Sequence, residues 1–571
     1  MKRPATWLSL VFLGLGALAV VGPIAAWHPL PVRPETMPDR FTRVTTVLHV
    51  HTLLSDGGGS VEDVQRAAAQ AGATVLILTD HNTFAGKPAE GYSRDGVLTI
   101  VGIEISNRQG HLLGLGIERP AFRFSGDAAD ALQDLNDLGG LSVVAHPENR
   151  RQDLRWTGWD LRGQWGLEVF NGDSLWREAS WTQLIGSTLL YPVNPTYALL
   201  RLVRRPAAAL TSWDRLLDQR RATAVAGNDA HGVIRPGWLP AVAVPGYEPV
   251  FRIMQNVVLL DHPLSGHGEQ DVETVVDALR RGRVYLGIDA LAPIDRFYFF
   301  AEREGGLRTM GEHITPGPGR LRAGGAFPAG AVTTLRRDGT VIAHRTGPLE
   351  YPLTTPGSYR VEVHVPGWDF PWIVSNAIDV RPAAEQQERN RGAMAPPETG
   401  ATRVSILDRF GPDTTFRATT DATSHLWAHP RDLDGGPDSS SAGRIAFELG
   451  SPDDDHRSPF IALGSYEPRN LSGRRGLLLS TRSDRPRRYW VQIRDSNPDA
   501  PEGTETWFVS VKSDQTWRTL AIPFDRFDSV EPVSDHRLDL NAVEAIVLLV
   551  DTGAADPGTR GVIWVDDLGL F

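Results

Sequence analysis

Six apolar runs in this sequence each lead directly into a residue that can bind a metal ion or carry a proton. The runs are residues 44–48, 74–79, 97–103, 141–145, 166–170 and 222–227. Runs of this kind are typical of strands buried on both faces of a parallel sheet, and helical segments between several of them fit a βαβ pattern. Because the carboxyl ends of the strands of a (β/α) barrel meet at one rim, the pattern predicts an α/β barrel with its site at that rim.

The first run delivers a pair of histidines. His49 and His51 are two residues apart, so both imidazoles project from one face of a strand and can reach the same ion. Asp56 follows in a turn closed by three glycines, where the backbone can bend the carboxylate back toward the histidines. A helix cap or a turn would explain any one motif alone, but their joint placement predicts a metal centre. The other candidate ligands are His81, Glu104, His111, His146, Asp229 and His231.

The number of candidate ligands predicts more than one ion. Nine ligands exceed the roughly four to six positions around a single ion, so we expect two or three divalent ions that share a carboxylate. Histidine and carboxylate ligands admit Zn, Mn or Fe. Ions this close would provide a metal-bridging hydroxide near neutral pH and local positive charge, which suits a phosphoester substrate. The predicted catalytic residues are Asp229 or His231, for proton transfer, and Glu104.

These motifs resemble those of the PHP (polymerase and histidinol phosphatase) metallohydrolases. The resemblance extends from about Thr45 to Val257 and includes His49-Val50-His51 with Asp56, Thr79-Asp80-His81, Ala145-His146-Pro147 and Asn228-Asp229-Ala230-His231. It implies a distorted seven-stranded (β/α) barrel and a trinuclear site. It also implies three ligand sets, with Asp80 orienting its neighbours: His49, His51, Glu104 and Asp229; Glu104, His111 and His146; and Asp56, His81 and His231.

The substrate stays open at this point. Pro371-Trp372-Ile373-Val374-Ser375-Asn376 resembles the exported, carbaryl-hydrolase-like branch of these enzymes. A phosphoesterase or phosphatase acting on a small molecule is our main expectation. The alternatives are a carbamate, ester or amide hydrolase using the same site, and a non-catalytic envelope glycan-binding protein whose barrel is only a scaffold.

The N-terminus predicts a targeting segment. Lys2 and Arg3 precede an uncharged, mostly apolar run over residues 4–27, and a bilayer core needs roughly 20 such residues. Basic residues before the run favour export of everything that follows it. We expect residues 1–28 to be a signal anchor or a cleaved signal peptide. The protein would then be membrane-anchored or exported, with its catalytic domain on the outer (periplasmic or extracellular) side.

A chain of 571 residues is too long for one hydrophobic core. We predict a PHP barrel over residues 40–295, a small β-sandwich over 296–381, a linker over 382–402 and a jelly-roll-like accessory domain over 403–571, the last with a possible glycan contact. Several tryptophans near residues 156–181 indicate either a substrate-selecting lid or ordinary core packing.

Composition excludes several classes of protein. The chain contains no cysteine, which rules out disulfides and zinc sites built on thiolates. Its formal net charge of −11 gives no strong case for binding duplex nucleic acid by electrostatics.

Overall fold

A computed structural model describes residues 21–233, 244–394, 405–427, 429–432, 435–437, 440–454, 456–500, 503–529 and 534–571. The chain divides into two compact units, Met1–Glu118 with Ala131–Ala395, and Arg119–Asp130 with Pro396–Phe571. Most of the predicted targeting segment, residues 1–20, lies outside the described residues. Among the residues that are described, no helix is both long and apolar enough to cross a bilayer.

The first unit contains the elements of the predicted barrel. Its strands are β1 (Thr42–Leu48), β2 (Val75–Leu78), β3 (Gly91–Tyr92), β4 (Leu98–Val101), β5 (Ile103–Asn107), β6 (Gly110–Leu115), β7 (Leu141–Ala145), β8 (Trp165–Asn171), β9 (Ala224–Gly227), β10 (Gln255–Leu260) and β11 (Val284–Gly287). Its helices are α1 (Val61–Gln70), α2 (Ala128–Asp137, whose start belongs to the second unit), α3 (Gly172–Glu178), α4 (Trp181–Leu190), α5 (Pro195–Leu200), α6 (Ala207–Gln219), α7 (Tyr247–Phe251) and α8 (Gly268–Arg280).

The barrel strands form a ring. β1, β2 and β4 are parallel neighbours, and β7, β8 and β9 are parallel neighbours on the other side. The ring closes where the backbone N–H of Asn228, just after β9, donates to the Leu48 carbonyl at 2.7 Å. β6 is antiparallel to both β5 and β7, so the predicted α/β fold is present but its strands are not uniformly parallel.

The predicted strand over residues 97–103 is interrupted at Gly102. The Gly102 N–H donates to the Leu78 carbonyl at 2.8 Å, and a Cβ at this position would lie 2.5 Å from the Gly114 carbonyl oxygen. Only glycine fits so close to another backbone. The strand therefore resumes as β5. Glu104 lies inside β5, whereas the sequence predicted it at the end of the preceding strand.

The local sequence explains how α1 follows the first ligand loop. Ser60 caps the helix, and its hydroxyl oxygen accepts from the Asp63 N–H while the Asp63 carboxylate accepts in return from the Ser60 N–H. Val64, Ala67 and Ala68 are buried on one face of α1. They pack in a core cluster with Val47 of β1 and with Leu76 and Leu78 of β2.

The predicted β-sandwich is continuous with the barrel. Its strands are β12 (Phe297–Arg303), β13 (Gly306–Thr309), β14 (His313–Ile314), β15 (Arg320–Gly325), β16 (Val332–Arg337), β17 (Thr340–Thr346), β18 (Leu349–Pro352), β19 (Gly357–His364), β20 (Pro371–Ser375) and β21 (Ile378–Val380). β20 pairs with β11, β11 with β10, and β10 with β1. The boundary predicted at residue 296 therefore does not separate compact units, because a barrel sheet extends across it.

Part of the predicted linker over residues 382–402 is helical. Helix α9 spans Ala383–Met394, and residues 395–404 lie outside the described residues. The composition that suggested a linker is rich in Ala, Glu, Gln and Arg, which are also good helix formers.

The described part of the second unit is mainly β-structure, with a short 3-10 helix at Phe524–Arg526. Its strands are β22 (Ser405–Asp408), β23 (Arg417–Thr420), β24 (His425–Leu426), β25 (His429–Asp432), β26 (Ala442–Glu448), β27 (Phe460–Ser465), β28 (Gly476–Ser483), β29 (Arg487–Ser496), β30 (Thr504–Ser513), β31 (Arg518–Pro523), β32 (Asp528–Ser529), β33 (Val543–Asp551) and β34 (Arg560–Leu570). They form two antiparallel sheets, one centred on β34 and one on β33, with a shared apolar core. This is the two-sheet arrangement expected of a β-sandwich.

Candidate metal centre

The structure brings all nine predicted ligands to one rim of the barrel. They lie after β1, in the loop before α1, after β2, in β5 and β6, after β7 and after β9. Ring contacts link the six imidazoles into one cluster, with centroids of neighbouring rings 4.3–5.9 Å apart.

Three of these residues have left-handed backbone conformations. The φ angles are 65° at His49, 33° at His146 and 47° at Asp229. Such values are uncommon for residues other than glycine and cost on the order of 1–3 kcal/mol each. Their occurrence at three separate strand ends of one rim indicates that the fold keeps these side chains in position at the cost of backbone strain.

Glu104 is the centre of the cluster. Its Oε2 lies 3.0 Å from His49 Nε2 and 3.1 Å from His51 Nε2. Its Oε1 lies 2.8 Å from His111 Nδ1 and 3.1 Å from His146 Nε2. One buried carboxylate thus faces four imidazoles at bonding distance, which is the geometry expected of a carboxylate that bridges ions.

Two further carboxylates flank this centre. Asp229 Oδ1 lies 3.4 Å from His49 Nε2 and 3.3 Å from His51 Nε2. Asp56 Oδ2 lies 3.2 Å from His231 Nε2 and 3.7 Å from His81 Nε2. Three overlapping groups have donor atoms within 4.8 Å of one another: His51, Asp56, His81 and His231; His49, His51 and Glu104; and His81, Glu104 and His111.

Mutual charge sets the protonation of the cluster when no cation is bound. Burial alone would lower the pKa of His51, but the adjacent carboxylates of Asp229 and Glu104 raise it to about 9. Burial opposes ionisation of Glu104, yet the adjacent His49 and the hydrogen bonds from His111 and His146 hold its pKa well below the usual range. Protonated imidazoles thus balance the charge of each carboxylate. Burying charged groups in this way costs free energy.

The donor atoms fit bound cations better than they fit each other. The ring nitrogens of the fully buried His51 lie 3.1–3.5 Å from oxygens of Glu104, Asp229 and Asp56, but among the described residues neither nitrogen forms a hydrogen bond of good geometry. Within the residues that the structure describes, Glu104 and Asp229 form ion pairs with histidines and with no Lys or Arg. Buried polar atoms are almost always paired, so unpaired nitrogens facing buried carboxylates indicate a site for metal ions.

The sequence analysis missed Glu168 as a functional residue. Its Oε1 accepts from His49 Nδ1 at 2.6 Å, which leaves His49 Nε2 to face Glu104. Its Oε2 accepts from the His146 backbone N–H at 2.8 Å and from Asn171 Nδ2 at 2.8 Å. A carboxylate of this kind fixes the tautomer and orientation of a metal-binding imidazole. The available signal was an acidic residue in the middle of an apolar buried strand, β8.

Two other residues hold the loops that carry the ligands. Asp80 accepts from the Thr52 N–H and the Ser55 hydroxyl, both at 2.7 Å, and so fixes the loop before Asp56, in agreement with its predicted orienting role. The Tyr247 hydroxyl donates to the His231 carbonyl at 2.7 Å and accepts from the Gly58 N–H at 3.1 Å. Tyr247 was not predicted, because it lies outside every ligand motif and acts through backbone groups of the loops.

Comparison with known proteins gives relatives of the phosphoesterase class. No protein-family model matches the chain. A phosphoribosyl 1,2-cyclic phosphate 1,2-diphosphodiesterase of Eggerthella lenta is 44% identical over 82 residues, which are 13% of this chain and 31% of the relative. A 3',5'-nucleoside bisphosphate phosphatase of Chromobacterium violaceum is 26% identical over 289 residues, 48% of this chain and 88% of the relative.

Solved structures give weaker likenesses. A two-domain protein of Bacteroides vulgatus containing a predicted PHP-like metal-dependent phosphoesterase has 14% identity and a TM-score of 0.27, covering 62% of this chain and all of that one. A family 11 carbohydrate-binding module from Clostridium thermocellum has 15% identity and a TM-score of 0.24, covering 29% of this chain and 94% of the module. Overlaps of this quality carry no argument about function.

Both relatives are named for phosphoester cleavage, the chemistry that the sequence predicts. The chain spans less than a third of the length of the first relative, so that match covers only a part of an enzyme.

Proposed function

We propose that this protein is a metal-dependent hydrolase that cleaves a small phosphoester at the histidine-rich rim of its barrel. The observation that carries the proposal is Glu104, a fully buried carboxylate that faces four imidazoles beside the unpaired nitrogens of His51. Two or three divalent ions, of Zn, Mn or Fe, would satisfy these donors.

We propose the three ligand sets that the resemblance implies, and the distances support them. His49, His51, Glu104 and Asp229 surround one position, where Nε2 of each histidine lies within 3.4 Å of oxygens of both Glu104 and Asp229. Glu104 Oε1, with His111 and His146, forms a second position. A third position is formed by Asp56, His81 and His231.

The third position is the one open to substrate. The side chains of Asp56 and His231 are 47% and 24% exposed, whereas those of His49 and His51 are fully buried. Bound ions would supply positive charge for the phosphoryl oxygens and a water molecule of lowered pKa. His231, on the open side, would help to orient the substrate beside this position, and Asp229 holds His49 and His51 in register.

The class of substrate is supported by chemistry and by the relatives. A local excess of cationic charge favours an anionic ester, whose transition state spreads charge over several oxygens. Both relatives are named for phosphoester cleavage. The resemblance to the carbaryl-hydrolase-like branch makes a carbamate the natural competing substrate.

The decisive experiment compares substrates on the purified, metal-loaded chain. We expect turnover of phosphomonoesters or nucleotide phosphoesters, together with two or three metal ions per chain by elemental analysis. His49→Ala and Asp229→Ala should abolish turnover while the β-strand circular dichroism remains. Turnover of a carbamate alone would refute the phosphoesterase, and full activity in both variants would refute the site.

We also propose that the protein works outside the cytoplasm, held at the membrane or exported by its N-terminal segment. The support is the sequence alone: two basic residues followed by an uncharged run over residues 4–27. The second unit, a β-sandwich, is proposed as an accessory module with a glycan contact. Binding of the metal-loaded protein to a glycan array without any hydrolysis would favour a purely binding role for the whole chain.

A further inference from the structure

Helix α4 carries an exposed apolar stripe. Trp181, Ile185 and Leu189 are 80%, 58% and 72% exposed. Residues four apart lie above one another on a helix, so these three side chains form one continuous strip along the outer face of α4. A strip of large apolar side chains on a protein surface indicates an interaction site rather than chance exposure.

The inner face of α4 is turned toward the protein. Leu184, Ser187 and Tyr191 line an apolar cavity of about 310 Å³ together with residues of α3 and α7. The Ser187 hydroxyl donates to the Ala198 carbonyl of α5 at 2.7 Å. The outer stripe is therefore not part of the core. A helix that is apolar on both faces is expected to be shielded from water on both faces.

The stretch of sequence that contains the stripe has no charged residue. Residues 179–200, which include all of α4 and α5, contain no Asp, Glu, Lys, Arg or His. A surface segment of this length without a charged side chain is unusual for a face in contact with water, because exposed helices normally place charges on their outer side. The segment is suited to a medium of low polarity.

The N-terminal apolar run ends beside this helix. Asn194, at the turn between α4 and α5, donates through Nδ2 to the Ile24 carbonyl at 3.1 Å and to the Trp27 carbonyl at 3.2 Å. The Trp27 ring lies 5.0 Å from that of Tyr197 in α5. The last residues of the run over 4–27 are thus fixed to the same helical pair that carries the stripe.

We propose that α4 rests on a lipid bilayer, with Trp181, Ile185 and Leu189 inserted into the interfacial layer. An apolar run that leaves the folded unit at Trp27 and enters a bilayer would bring the adjacent charge-free segment to that surface. Tryptophan is favoured at the boundary between headgroups and hydrocarbon, and aliphatic side chains one and two turns further along the helix would lie at the same depth. The barrel would then be held at the membrane by a second contact besides its N-terminal segment.

The absence of cysteine in the chain makes a site-specific test clean. A nitroxide is attached to Leu189→Cys in the full chain, which is reconstituted into phosphatidylcholine vesicles. We expect collisions with oxygen, which partitions into lipid, to exceed collisions with a water-soluble nickel complex by severalfold more than at a control label. The control is Val341→Cys on β17, an apolar position that is 45% exposed.

Every other result overturns the proposal. Equal access of the nickel complex to positions 189 and 341 would place the stripe in water. Exclusion of both reagents with a doubled mass would indicate a second copy of the chain, and exclusion with a monomer mass would indicate cover by the chain itself.

A second variant tests whether the stripe itself makes the contact. In a chain with Ile185→Ser and Leu189→Ser, a label at Trp181→Cys should become accessible to the nickel complex. Turnover of a soluble phosphoester should stay unchanged, because none of these residues belongs to the metal centre, and this also shows that the barrel is folded. A label at 181 that remains protected by lipid would contradict the assignment of the stripe.

Discussion

Two buried carboxylates in the first unit, Glu104 and Glu362, have opposite surroundings. Glu362, in β19, is fully buried and receives cations from the protein: Arg205, Arg336 and Arg360 lie 2.7–2.9 Å from its oxygens. Glu104 is equally buried but, among the described residues, is faced by imidazoles alone. A buried negative charge needs a compensating positive one. The protein supplies it at Glu362, whereas at Glu104 it provides ligands for cations from outside.

The two clusters consequently do different work. Arg360 also bonds Asp214 of α6 through two nitrogens, at 2.6 and 2.8 Å, so the Glu362 cluster joins a barrel helix to the sheet that extends the barrel. Three guanidinium groups of the protein compensate the carboxylate there. The Glu104 cluster has no Lys or Arg beside its carboxylate among the described residues and lies on strained backbone, features that serve binding at the expense of stability. Removing one carboxylate from each cluster should therefore have different consequences.

The largest effect is expected at the metal centre. Glu104→Gln keeps the size of the side chain but removes the charge that the proposed ions would share. We expect kcat/KM for a phosphoester to fall by at least about a thousandfold, because metal-ion catalysis contributes several kcal/mol to the barrier. Metal content per chain, measured by elemental analysis, should fall with it. Unaltered turnover in Glu104→Gln would break the distinction between the clusters.

The matched change at the other cluster should affect folding instead. Glu362→Gln leaves three arginines around a neutral amide, and breaking a buried ion pair costs about 3–5 kcal/mol of unfolding free energy. Urea titration measures this loss, and metal content should stay at the level of the unaltered chain. Glu350→Gln serves as control, since its ion pairs with Arg320 and Arg322 are half exposed and should be worth at most about 1 kcal/mol. Equal stability in both variants would contradict the structural role of Glu362.

The sequence predicted much of this centre but little of what supports it. The ligands were found because each lies in a short motif next to an apolar run, and strand periodicity is a local signal. Glu168 was missed because its partner His49 is distant in sequence, and Tyr247 because its partners are backbone groups, which leave no mark in a sequence motif. The left-handed backbone at His49, His146 and Asp229 also had no signal, since it depends on the ring closing around these residues.

The boundaries between regions were predicted less well than their class. The change to short strands near residue 296 is real, but β20 returns to pair with β11, and a pairing so distant in sequence leaves no local mark. Asn376 illustrates the same point, because it exchanges two 2.8 Å hydrogen bonds with the backbone of Ala224 in β9. Composition distinguishes the regions before and after residue 296, but the pairing of their strands joins both regions in one compact unit.

A smaller effect is expected from the residue that orients the ligands. Glu168→Gln keeps a hydrogen-bond acceptor near His49 Nδ1 but removes the charge, and changes of this kind weaken metal affinity by about 10–100-fold. Competition with a chelator measures that affinity. Glu148→Gln, just after His146-Pro147 and outside the cluster, is the control and should leave affinity unchanged. Equal affinities would show that Glu168 stabilises the barrel without tuning the metal centre.

The smallest expected effect is a difference in the response to pH. In the metal-free protein the pKa of His51 is raised to about 9, so the stability it contributes is present below its unfolded pKa of about 6.5 and is lost as pH rises through 9. Burial opposes protonation of His49, His146 and His231, but nearby carboxylates raise the pKa of each, so these histidines add to the trend. We expect a net loss of at least about 1 kcal/mol between pH 7 and 9.5. Calorimetric unfolding in the presence of a chelator measures this loss.

Glu362 responds at the other end of the pH scale. Although burial opposes its ionisation, hydrogen bonds from His364 and Arg205 and the charges of the arginines hold its pKa far below the usual range. Its contribution is therefore present above about pH 4.3, the unfolded value, and is lost as pH falls.

With Zn or Mn bound, the loss of stability of the metal centre at alkaline pH should reverse, because deprotonated imidazoles bind metal more tightly. Metal-free protein that gained stability between pH 7 and 9.5 would show that protons do not compensate the carboxylates of the empty centre.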